Sequence, residues 1–79
     1  MTQDNYYSTV DLSLATAISL FFPISDISKQ NPHRAEFIFI RSSQLDELVS
    51  KYWKKELLVE PRQFFDQLKA IKTQLYANR

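Results

Sequence analysis

The apolar positions of this chain change their spacing several times, and each change marks an element. Leu14, Ala17, Ile18 and Phe21 recur at three- and four-residue steps, the repeat of one helical face. Ser8, three residues before Asp11, has the arrangement of a capping box, and Pro23 closes the run because proline cannot continue a helical ladder. The pattern predicts a first helix over about residues 10–22. Strands are predicted over about 24–28 and 35–41, joined by a turn from Lys29 to Arg34 that contains Asn31-Pro32. Within Phe37-Ile38-Phe39-Ile40 the phenylalanines project to one side and the isoleucines to the other. Both faces of that strand therefore need cover.

Ser43 with Asp46 opens a second helix, about 43–55, whose apolar residues Leu45, Leu48, Val49, Tyr52 and Trp53 keep helical spacing. Leu57-Leu58-Val59 leaves room for a short extra strand. Pro61 stands where proline is favoured, in the first turn of a third helix over about 61–77. Phe64, Phe65, Leu68, Ile71 and Leu75 are expected to point inward, with fraying near Asn78. The order predicts an α+β fold: one domain over 1–79, with residues 1–5 flexible and three helices packed on a small sheet. Helices on one face of that sheet would leave the other to a partner copy.

Length makes the same point from another direction. A chain of 79 residues buries only about 60–65% of the surface its unfolded form exposes. With no cysteine it has no disulfide or thiolate-bound zinc to add, so self-association is the expected source of extra burial. The absence of cysteine fits a reducing compartment. The first ten residues hold Asp4 and no Lys or Arg, unlike a signal peptide, and the apolar stretch 12–24 is too short to span a bilayer. The expected location is the cytoplasm, with no membrane contact.

The candidate chemistry is sparse. Glycine is absent, which excludes glycine-dependent phosphate loops, dinucleotide fingerprints and nucleophile elbows. The single histidine, His33, lies in the predicted turn and reads as solvated. Asp46, Glu47, Glu56, Glu60 and Asp66 read as helix-end and surface carboxylates, since they lack the spacing of a calcium loop. The expectation is a protein without catalytic residues, cofactor or metal.

The net charge is +1, unevenly placed: residues 1–40 hold two basic and four acidic groups, residues 41–79 eight basic and five acidic. A strand followed by two helices superficially matches a ribbon-helix-helix protein, but Phe37-Ile38-Phe39-Ile40 offers no polar side chains to base edges. The stretch from Lys54 to Pro61 is too long for a helix-turn-helix connection. One surface stands out. On the third helix, Arg62, Phe65, Lys69, Lys72 and Tyr76 fall beside the apolar stripe and interleave cations with aromatics. Lys51 and Lys55, near the end of the second helix, are candidates to extend it. The structural alternative puts Phe65 in the core with lysine stems over it, and Lys51, Lys54 and Lys55 at the negative end of a helix dipole.

The sequence also resembles a small, uncharacterised bacterial and mobile-element domain family of unknown function. The likeness is carried by Tyr7-Ser8-Thr9-Val10-Asp11-Leu12 leading into Ala15, by Phe37-Ile38-Phe39, by Leu45, Leu48 and Tyr52-Trp53, by Val59-Glu60-Pro61, and by Leu68, Lys69 and Leu75-Tyr76. The resemblance implies no activity and no catalytic residue; it implies a phage or mobile-element setting in which small proteins act by binding. Together these readings lead to a non-catalytic, self-associating module that contacts a protein partner. The alternative is a nucleic-acid-binding accessory protein using Arg62, Lys69, Lys72 and Tyr76.

Overall fold

The structure, a computed structural model, describes residues 5–31 and 34–77. Among them the order is β1 (Tyr6–Thr9), α1 (Leu12–Ser19), β2 (Asp26–Asn31), β3 (Arg34–Ile40), α2 (Ser43–Trp53) and α3 (Pro61–Ala77). The α+β class and the three helices are as the sequence predicts. The strands form one antiparallel sheet in the order β1-β3-β2, with β3 in the centre.

The third strand comes from an unexpected place. Residues 57–59 form no strand; the position beside β3 is taken by Tyr6–Thr9, paired Tyr6↔Ile40, Tyr7↔Phe39, Ser8↔Ile38 and Thr9↔Phe37. With β2 on its other edge, β3 has no ladder left to offer, so Leu57-Leu58-Val59 runs unpaired. Leu57 and Val59 are half-buried and Leu58 is 88% exposed.

The hairpin is longer than predicted. Pairing continues to Asn31↔Arg34, after a register shift between Ser28 and Asn31, so Lys29 and Arg34 belong to strands. His33, Pro32, Asn78 and the first four residues lie outside the described residues.

Each helix begins on a side chain that accepts from its free N–H groups, as helix starts require. Asp11, not Ser8, caps α1: its Oδ1 accepts from Leu14 N at 3.2 Å. The helix is therefore shorter than 10–22, and it closes with Phe21 N and Phe22 N both donating to Ile18 O at 2.9 Å. Ser42, one residue before the predicted cap, accepts from Leu45 N at 3.1 Å. Glu60 Oε1 accepts from Gln63 N at 2.7 Å, with Pro61 in the first turn of α3.

Helix α2 ends on a paired motif: Glu56 N donates to Lys51 O and Lys55 N to Tyr52 O, with Lys55 at φ 62°. This is the Schellman arrangement, in which glycine normally takes the left-handed position. In a chain without glycine, a lysine occupies it.

Helix α1 lies at the centre of the core. Leu14, Ala15, Thr16, Ala17 and Ile18 are all buried, as expected of a helix with neighbours on every side. Leu14, Ala15 and Ile18 cluster with Phe37 and Phe39 of β3, Leu45 and Leu48 of α2, and Ile71 of α3. Buried Thr16 donates its hydroxyl to Leu12 O at 2.8 Å, so that hydroxyl is not stranded. Helices α2 and α3 both pack on α1 and touch each other little. Side-chain hydrogen bonds tie α3 to the rest of the fold: Gln67 Nε2 donates to Ser19 Oγ, and Lys29 Nζ to Leu75 O.

Candidate interaction surfaces

The first surface follows from the alternation of β3. Phe37 and Phe39 are 2% and 0% exposed, whereas Ile40, one residue on, is 64% exposed. Directly paired residues project to the same side of an antiparallel sheet. The register therefore places Tyr6, Ser8, Ile38, Ile40, Asp26 and Glu36 together on the face away from the helices. Tyr6 is 60% exposed. At one end Ile40 borders a shallow apolar depression with Phe22, Pro23 and Ile24. At the other end Val10, Ser28, Gln30, Arg34 and Glu36 line a more polar one. The face thus runs from apolar to mixed-charge.

The second surface is the strip predicted on α3. Arg62, Phe65, Lys69, Lys72 and Tyr76 are all exposed, and Phe65 and Tyr76 retain 60% and 68% of their surface. Phe65 is thus not an inward residue. The buried arc of α3 is narrow because the helix packs chiefly on α1. Phe65 instead stacks edge-on against half-buried Phe64, ring centres 5.9 Å apart. Trp53, although it keeps the helical spacing of the apolar residues of α2, is likewise 60% exposed, with Tyr52 edge-on at 5.1 Å.

Lys51 and Lys55 are exposed too, but on a helix and its cap that hardly meet α3. The five α3 residues share one flank of that helix, and α2, which carries Lys51, makes little contact with it. Sequence reasoning missed Tyr6 and Ser8, although Tyr-Tyr-Ser-Thr-Val is rich in strand-forming residues.

Arg41 Nε donates to Asp46 Oδ1 at 3.2 Å on the surface, a contact of little energetic weight. Burial raises the Tyr7 phenol above its ordinary value near 10, helped by Asp11 and Asp46 and opposed by Arg41. Burial also raises Tyr52, helped by Asp11 and opposed by a hydrogen bond from Ser13. Among the described residues no three His, Cys, Asp or Glu side chains gather to hold a metal, and no helix is long and apolar enough to cross a membrane.

No curated protein and no solved structure matches the chain. Residues 4–77 match the family described as Domain of unknown function (DUF5659). That span takes in every element of the sheet and all three helices, and the chain belongs to this family.

Proposed function

We propose that this protein is a non-catalytic interaction module that self-associates through the open face of its sheet, the occupant of that face being a second copy of the chain. The observation that carries the reading is the row Tyr6, Ile38 and Ile40 on a sheet whose opposite face is sealed by α1. Antiparallel sheets can leave one face to water, and that face is then ordinarily polar. Here its central strand carries Ile38 and Ile40 instead.

Two features favour a second copy over an unlike partner. The face holds both signs of charge, Arg34 next to Glu36 along β3 and Asp26 further along, opposite Ile38, so a two-fold pairing can set each copy's Arg34 toward the other's carboxylates. The apolar end supplies the burial that so short a chain lacks alone. The cysteine-free composition suits a reducing cytoplasm, and a mobile-element setting is consistent with a small protein that acts by assembly.

Sedimentation equilibrium tests the reading. The wild type should show a dimer with micromolar dissociation constant, and Ile40→Lys should sediment as a folded monomer. A wild type that stays monomeric near millimolar concentration, or an Ile40→Lys protein that still dimerises, removes it.

A further inference from the structure

The strip on α3 is built differently from the sheet face, and its spacing is informative. Arg62, Phe65, Lys69, Lys72 and Tyr76 follow one another at steps of three, four, three and four. That is the spacing of a straight seam along a helix. At 1.5 Å per residue the seam runs about 21 Å. It occupies an arc of about 80° beside the buried stripe, and Asp66 falls about 40° outside it, so no carboxylate interrupts it. An ordinary solvated flank alternates charges and carries few aromatics, whereas this one keeps two rings bare.

The composition of the seam selects its occupant. A helical partner would have to bury Arg62, Lys69 and Lys72 at seam positions, where desolvating cations is costly. A phosphate backbone meets the same cations without that burden, and exposed rings offer stacking surfaces to unpaired bases. The C-terminal end of α3, whose dipole would repel phosphate, is offset by Lys29 Nζ donating to Leu75 O at 2.8 Å, one residue before Tyr76. We infer that the α3 strip binds single-stranded nucleic acid, with bases stacked on Phe65 and Tyr76 and phosphates held by Arg62, Lys69 and Lys72. The strip belongs to the helical layer, on the other side of the sheet from the dimerisation face, so it stays open in monomer and dimer alike. The inference is independent of the self-association reading.

Fluorescence anisotropy with labelled single strands of about 12 nucleotides, oligo-dT and oligo-U, tests it. Three phosphate contacts predict an affinity about 20-fold weaker at 200 mM than at about 50 mM salt. Lys69→Glu/Lys72→Glu should abolish binding, and Phe65→Ala/Tyr76→Ala, which leaves every charge in place, should weaken it about tenfold or more. All four side chains are exposed, so the variants should remain folded, and circular dichroism checks that they do. Absence of binding at low salt overturns the inference. So does a ring variant that binds like the wild type, a duplex that binds as tightly as the single strand, or a polyglutamate peptide that competes equally, which would assign the strip to an acidic protein.

Discussion

Strand β3 presents two apolar faces, Phe37 and Phe39 on one side, Ile38 and Ile40 on the other, and the fold spends all three helices on the first. The phenylalanines are sealed; Ile40 is left largely in water. The difference shows how little cover a short chain can raise. One central helix, α1, is surrounded, and its two neighbours take up most of the remaining described residues, so no described helix is left for the second face.

Substitution on the sealed face breaks the comparison most strongly. Phe39→Ala should cost about 3–5 kcal/mol, a large part of the about 4–12 kcal/mol expected for a domain of this size, and urea denaturation should show a protein unfolded or nearly so at 25 °C. Strengthening the helical layer touches neither face. Lys55→Gly relieves a left-handed lysine at the end of α2 and should raise stability by about 1 kcal/mol, with self-association unchanged. On the open face the effects should separate in the opposite sense. Ile40→Lys should alter monomer stability by less than about 0.5 kcal/mol, read by denaturation at low protein concentration, while abolishing the dimer.

The smallest effect is on pH. The phenols of Tyr7 and Tyr52 are raised in the folded state, so the unfolded chain loses these protons first as pH climbs. Their contribution is complete below about pH 10 and declines as pH rises through and above it. Tyr7→Phe/Tyr52→Phe should flatten the alkaline limb of a stability profile, and an unchanged limb would contradict the assignment.

The parts of the fold that the sequence made legible are those where one signal suffices. Helix α2 has its periodic stripe and a serine at its start, and the hairpin has its turn residues. Where two signals compete, the reading fails. Ser8 looks like a cap, but the real cap is Asp11, and the residues before it pair with β3. Leu57-Leu58-Val59 reads as a short apolar strand and finds no free ladder on β3, because both edges of β3 are filled. The strip on α3 was legible because spacing alone defines it. The exposure of Phe65 was not, since periodicity fixes the centre of a buried arc and only the number of neighbouring elements fixes its width.

The central claim, that the uncovered sheet face is where two copies meet, is tested most directly by amide chemical shifts followed on dilution from about 1 mM to about 10 µM, a range that brackets a dissociation constant of tens to hundreds of micromolar. The account predicts concentration-dependent shifts gathered at Tyr6, Ser8, Val10, Ile38 and Ile40, with α3 unaffected. Spectra that do not change on dilution, or shifts confined to the helices, would contradict it.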